Sequence, residues 1–302
     1  MKVGMLDVDS HNFPNLALMK LSAWHKACGD TVEMWNRRTK GYDLVYMSKV
    51  FDETYSPDLP EPMNAKMIIK GGTGYGLDNK LPSEVEHIMP DYALYGNTDT
   101  AYGFLSRGCP RACPFCIVSE KEGRKSIKVA DLSEWWNGQP NITLLDPNLT
   151  ACKERIDLLK QLSDSGATVL FNQGLDVRLI DEEFVRALNT VKVKMIHFAW
   201  DLMNQSDDVL KGLYLYKRYG RLGARKTRVY VLTNFNTTME ENLYRIYELV
   251  DLGFDPFVMV FDKPNAPPEI LNLQRWVNNK RIFHSCKKFE DYGHIKLRRK
   301  TQ

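Results

Sequence analysis

From Asn141 onward, short apolar runs alternate with helix-patterned segments, and this rhythm limits the fold more than any other feature of the chain. "NITLLDPN" reads as a strand, and "ACKERIDLLKQLSDSG" has helical apolar spacing closed by glycine. Strand "TVLFNQG" precedes helix "DEEFVRALNTV", for which Asp181 is placed to cap. Strand "KMIHFAW" precedes helix "SDDVLKGLYLYKRYG". Strand "RVYVLTNF" precedes "TMEENLYRIYELVDLG", where Thr238 and Glu241 stand at capping-box spacing, and "PFVMVFD" ends the series. The strands are continuously apolar, which predicts a parallel sheet covered on both faces. With "AYGFLSRG" they make six strand–helix units between residues 100 and 265, an α/β fold that forms a (β/α) barrel or part of one. Ligands of such sheets bind at the carboxyl ends of the strands.

A smaller alternation precedes it. Strand "KVGMLDV" and helix "NLALMKLSAWHKACG" lead to strands "TVEMW", "DLVYMSKV" and "KMIIKGG", and the acidic, proline-rich "DETYSPDLPEPMN" reads as a surface loop. Beyond Pro267 a helical pattern continues through "EILNLQRWVNNKRIFHSCKKFEDY", and the last ten residues read as a frayed end. The predicted organisation is a first domain over 1–98, a core over 99–266 and a helical extension with a basic tail over 267–302. With 43% hydrophobic and 26% charged residues, no bilayer-length apolar run and no signal-peptide pattern, a cytoplasmic enzyme is expected and a membrane partner is not. Net charge is only +3, but basic residues gather in Lys121–Lys128, Arg218–Arg228 and Lys296–Lys300. These runs read either as solvated faces or as a site for a phosphate-bearing or nucleic-acid partner.

Cys109, Cys113 and Cys116 fall within eight residues of the stretch "SRGCPRACPFCIVS". Cys28, Cys152 and Cys286 are single and scattered, which fits a reducing compartment better than a disulfide framework. Three readings of the triplet stand. A closed zinc site would need a fourth ligand, which Cys152 or Cys286 would have to supply. A redox dithiol of Cys113 and Cys116 would leave Cys109 idle. A 4Fe-4S cluster could take three thiolates and keep one iron open, a functional vacancy of the kind found on catalytic metals.

The C-x3-C-x2-C spacing, with Phe115 directly before the last cysteine, resembles the signature of the radical S-adenosylmethionine (radical SAM) superfamily. It follows the first strand of the expected barrel, where that family carries it. The resemblance implies a partial (β/α)6 barrel and an oxygen-sensitive 4Fe-4S cluster on Cys109, Cys113 and Cys116. It also implies S-adenosyl-L-methionine as cofactor and an electron donor such as flavodoxin or ferredoxin. Residues at strand ends would then grip the cofactor. The glycine-rich motif usual after the second strand is replaced by "LLDPNLTA", where Asp146 and Asn148 are candidates, although Asp-Pro-Asn is also turn chemistry. "FNQGLDVR" offers Asn172, Gln173 and Arg178, the last suited either to a carboxylate or to a surface salt bridge. "HFAWD" presents His197, Trp200 and Asp201; His197 reads as a core histidine and Asp201 as the catalytic candidate. "LTNFN" offers Thr233 for cofactor binding and Asn234 for the substrate.

Residues 1–98 resemble a truncated flavodoxin-like domain of the cobalamin-binding type, found ahead of the barrel in one branch of that superfamily. Asp9 and His11 match the start of its D-x-H-x-x-G pattern, "IIKGGTGYG" resembles its later glycine loop, and Pro14 replaces the pattern's glycine. Only four strands fit before the cysteines, so a remnant without cobalamin is the expected form. Relatives imply as alternatives a cobalamin-assisted methyltransferase or a methylthiotransferase-like enzyme. A methylthiotransferase would carry further cysteines, yet residues 1–100 hold only Cys28. An alternative of another class is a non-catalytic metal-binding module that recognises nucleic acid through its basic runs.

Overall fold

The computed structural model describes residues 1–11, 13–96 and 99–292, so the basic tail Lys296–Lys300 lies outside the described residues. The chain is α/β with parallel sheets and divides into two compact units. The first comprises Met1–Leu145 with Ser165–Ala167, the second Asp146–Asp164 with Thr168–Gln302.

In the first unit, β1 (Lys2–Asp7), β2 (Thr31–Met34), β3 (Leu44–Ser48) and β4 (Ile68–Gly71) form a parallel sheet in the order β2-β1-β3-β4. Helix α1 (Leu16–Ala27) connects β1 to β2, and the side chain of Asn15 caps it by accepting from the Leu18 amide. Alternate strand residues feed two apolar clusters. Val3, Met5 and Leu44 pack with Leu18, while Leu6, Val45 and Met47 pack with Tyr42. Asp9, just beyond β1, is buried, and its carboxylate accepts from the amides of Val50 and Phe51 at 2.8 and 2.9 Å.

The same unit holds β5 (Thr100–Gly103), which pairs in parallel with β8 (Asn141–Leu144). Here the structure departs from the single strand expected before the cysteines. The chain leaves β5 at Gly103, and β6 (Ser106–Arg107) pairs antiparallel with β7 (Ile127–Lys128), making a neck beneath the cysteine loop. Between β5 and β8 the only α-helix among the described residues is α3 (Val118–Lys121), so the first unit of the expected strand–helix series lacks a full helix. The prolines of "CPRACPFC" explain this, because their fixed φ and missing N–H groups obstruct helix formation at the loop's start. A short helix, α2 (Ser83–Glu86), precedes β5.

The second unit carries four parallel strands in sequential pairing: β9 (Thr168–Phe171), β10 (Val193–Ala199), β11 (Thr227–Thr233) and β12 (Asp255–Val260). Helices α4 (Arg155–Asp164), α5 (Glu182–Thr190), α6 (Ser206–Tyr219), α7 (Met239–Leu252) and α8 (Pro268–Asn278) bury apolar stripes that include Leu159, Phe184, Leu213, Ile246 and Trp276. Both expected caps form, with Asp181 accepting from the Phe184 amide and Thr238 with Glu241 making a full capping box. The strands are not buried equally on both faces. In β11, Thr227, Val229, Val231 and Thr233 are buried while Arg228, Tyr230 and Leu232 are half-buried. The half-buried side of the strands bears a row of rings, His197 stacked on Tyr230 and Tyr230 meeting Phe257 edge-to-face. The expected C-terminal helix is broken at Asn279, whose side chain caps α9 (Lys280–Ser285) by accepting from the Ile282 amide.

Candidate functional sites

The cysteine loop is irregular because its sequence forbids a regular element. Gly108, at φ +90°, enters the loop where an added Cβ would collide with the carbonyl of Lys125, so glycine is required there. Ala112 is at φ +46°, an uncommon conformation for a residue with a side chain. The Cys109 amide donates to Gly123 O at 3.1 Å and the Cys116 amide to Cys113 O at 3.0 Å, which turns the backbone back on itself. Cys109 and Cys113 are half-buried, Cys116 is exposed, and none of the six cysteines is in a disulfide. Phe115 is half-buried beside them.

Among the described residues no three His, Cys, Asp or Glu side chains converge on a point that could hold a single metal ion. The outlying cysteines offer no further ligand set. Cys152 is buried, donates to Glu154 Oε2 at 3.3 Å and is pushed up to about 11 by that burial. Cys286 is also buried and donates to Lys288 O.

In the second unit, polar side chains collect at the carboxyl ends of the strands. Arg178 grips Asp176 side-on, Nε to Oδ1 at 2.7 Å and Nη2 to Oδ2 at 3.0 Å, and donates to Gln205 Oε1 at 2.6 Å. Asn148 donates to Asp176 Oδ2 at 3.3 Å while its own Oδ1 accepts from the Ala151 amide. Asp146, two residues earlier, is buried. Asp201 follows β10, and burial pushes its carboxyl up to about 6 against the opposing pull of Arg178 and Arg245. Asp176 adds to the upward push. A carboxyl group that titrates near neutrality at a strand end is equipped to hold or release a proton there.

Beneath Asp201 lies Arg245, wholly buried on α7. It donates to the carbonyls of Trp200 at 2.7 Å, Asp201 at 2.8 Å and Leu232 at 2.9 Å, and to Asn242 Oδ1 at 2.6 Å. One guanidinium therefore ties the ends of β10 and β11 to α7, and burial pulls it down to about 10.

The other sequence candidates separate into distinct settings. Thr233 is fully buried, its hydroxyl donating to Met259 O at 3.1 Å. Asn234, at φ +62°, donates to Phe261 O at 2.8 Å. Asn172 is half-buried and Gln173 exposed, on the turn after β9. His197 is 8% exposed, and its ring stacks on Tyr230 at 5.0 Å. Sequence reasoning passed over Asp176, Gln205, Asn242 and Arg245. The signal for Arg245 was available, since it occupies the apolar stripe of α7 with Asn242, Ile246 and Leu249.

No family model matches the chain, and no curated protein is similar to it at a significant level. Among solved structures it is similar to Streptococcus suis SuiB bound to precursor peptide SuiA, with a TM-score of 0.41 and 13% identity. That likeness covers 62% of this chain and 46% of the other, so the chain spans less than half of SuiB's length. Among the described residues no helix is long and apolar enough to cross a membrane.

Proposed function

We propose that this protein is a radical SAM enzyme whose 4Fe-4S cluster is held by Cys109, Cys113 and Cys116. The observation that carries the reading is the loop itself: three thiols spaced C-x3-C-x2-C in one short, proline-bearing turn, none of them in a disulfide. The bound cluster would supply the electron for reductive cleavage of S-adenosyl-L-methionine, drawing it from a donor such as flavodoxin or ferredoxin. The chain's own contribution is placement. Phe115 shields the thiols, while Asp146, Asn148, Asn172, Gln173, Arg178 and Thr233 line the strand ends as the cofactor grip. In that grip Asn148 and Arg178 are held in register by Asp176, and Thr233 acts through the Met259 carbonyl. Asp201 and Asn234 serve the substrate, with Asp201 able to hold a proton near neutral pH.

The reading divides the chain into a truncated flavodoxin-like domain over 1–98, a partial (β/α)6 core over 99–266 and an extension over 267–302. The β2-β1-β3-β4 order supports the first of these, being the leading part of a flavodoxin-like order. Asp9 spends both carboxylate oxygens on the Val50 and Phe51 amides, which favours a remnant that holds no cobalamin through the Asp9–His11 pattern.

The test is anaerobic. Reconstituted protein should bind about four irons and four sulfides per chain, and with dithionite and S-adenosyl-L-methionine it should release 5′-deoxyadenosine. Zinc at the three thiols, or iron binding without cofactor cleavage, would remove the enzymatic reading.

A further inference from the structure

The cysteine loop raises a mechanical problem. Its cysteine-bearing stretch, 108–121, lies within the longer loop 108–126 closed by the antiparallel neck of β6 and β7, which is only two residues long on each side. An isolated two-stranded ribbon of that length does not hold itself in water. Something else must fix the loop's ends if three thiols are to be presented in one arrangement.

Arg107, the residue before the cysteine-bearing stretch, meets Glu122, the residue after it. Nη1 donates to Glu122 Oε1 at 3.0 Å and to Oε2 at 3.1 Å, and Nη2 donates to Glu86 Oε1 at 3.0 Å. The guanidinium lies 3.9 Å from the ring centroid of Phe104. Lys20 Nζ, mostly buried, donates to Glu86 Oε1 at 3.0 Å and also to the Glu86 carbonyl. The result is an alternating chain, Lys20–Glu86–Arg107–Glu122, with two positive and two negative members. Next to Glu122, Lys121 donates to the hydroxyl of Thr73, and burial with the nearby Arg107 charge lowers its pKa.

Surface ion pairs are worth little singly. This one differs in that Arg107 and Glu122 are only 26% and 13% exposed, one Nη1 reaches both carboxylate oxygens, and the pair joins the two ends of the cysteine-bearing stretch. A planar guanidinium fixes the orientation of what it bridges in a way that an ammonium group does not.

We propose that Arg107 is a positioning residue for the thiol loop: by clamping Glu122 across the loop's mouth it sets the arrangement of Cys109, Cys113 and Cys116 before any metal arrives. Its role in cluster assembly rests on the reading under Proposed function.

The experiment compares full-length wild type with Arg107→Ala, Arg107→Lys, Glu122→Gln and the double variant Arg107→Ala/Glu122→Gln. Two readouts are used: cluster loss to an iron chelator under anaerobic conditions, and hydrogen exchange of the Cys109 amide in metal-free protein. Circular dichroism and thermal unfolding check that each variant remains folded. Arg107→Ala and Glu122→Gln should each speed cluster loss and Cys109 exchange about tenfold, the scale of one charge-assisted two-pronged contact. The double variant should be no worse than either single change, because both remove the same link. Arg107→Lys should recover part of the loss. The proposal is overturned if folded variants keep wild-type exchange and cluster-loss rates, or if the two single effects simply multiply. Should wild type itself bind no iron, the enzymatic reading falls, and the exchange comparison alone decides whether the clamp exists.

Discussion

Asp201→Asn should stabilise the protein at pH 8 by about 2 kcal/mol more than it does at pH 4.5. The carboxyl is raised from 3.8 to about 6 in the folded chain, with burial as the main cause. Between those two values the folded state holds a proton that the unfolded state has released, so unfolding free energy falls as pH rises. Above the folded value the loss is complete, and a shift of about two units corresponds to ~3 kcal/mol. Asparagine has nearly the same shape and never ionises, so it escapes that cost. It also forgoes the attraction of Arg178 and Arg245, but the upward direction of the shift shows that burial outweighs both guanidinium groups. The assay is urea denaturation of wild type and variant at half-unit steps from pH 4.5 to 8, which does not depend on any metal or activity. The stability difference should grow from ~1 kcal/mol at pH 4.5 to ~3 kcal/mol at pH 8 in favour of the variant, most steeply below pH 6. A difference that does not change with pH, or a variant that grows weaker towards pH 8, would refute the placement of a desolvated, half-buried carboxyl at the end of β10.

Arg245→Met should cost about 3–5 kcal/mol in the same assay, because four acceptors on Trp200, Asp201, Leu232 and Asn242 lose their donor in a buried site. Single Cys→Ser changes at 109, 113 and 116 should each remove most of the bound iron after reconstitution, whereas Cys28→Ser should leave metal content and the visible spectrum unchanged. Gly108→Ala should destabilise by at least about 2 kcal/mol in thermal or urea unfolding, through its positive φ and the collision with the Lys125 carbonyl.

The strand–helix alternation was legible because it depends on local chemistry. Apolar runs such as "RVYVLTNF" and caps such as Thr238 with Glu241 declare themselves within a few residues, and both stand where the pattern put them. What the pattern could not convey was which contacts join distant positions. The stretch "AYGFLSRG" gives no local hint that its Ser106 and Arg107 leave β5 to pair with Lys128 and Ile127. Asn279 looked like one more helical residue, yet its side chain ends one helix and starts another. At the site, Arg178 was visible as a basic residue after an apolar strand. Its commitment to Asp176 and Gln205 depends on two separate turns meeting, and spacing along the chain does not encode that. Arg245 was missed for the opposite reason. A charged residue in an apolar helical stripe reads as a pattern error unless one asks which carbonyls it could reach.

The distribution of buried charge makes the strongest general case for where each unit does its work. A chain free to place charges anywhere puts them in water, as this one does at the amino ends of its strands, where Lys192, Lys194, Arg225 and Lys226 are exposed. At the carboxyl ends the choice is reversed. In the first unit Asp9 and Lys49 are buried just beyond β1 and β3, and among the described residues Lys49 Nζ has no hydrogen-bond partner. In the second unit Arg245 is wholly buried and Asp201 is held far from its ordinary pKa. Each of these placements costs free energy that an apolar residue of similar size would not. Local rules that fail together at one edge of a sheet, while they hold along its length, mark the edge used for chemistry or binding. In parallel sheets that is the edge at which ligands are met. The second unit's edge is thus where ligand contacts should be sought first.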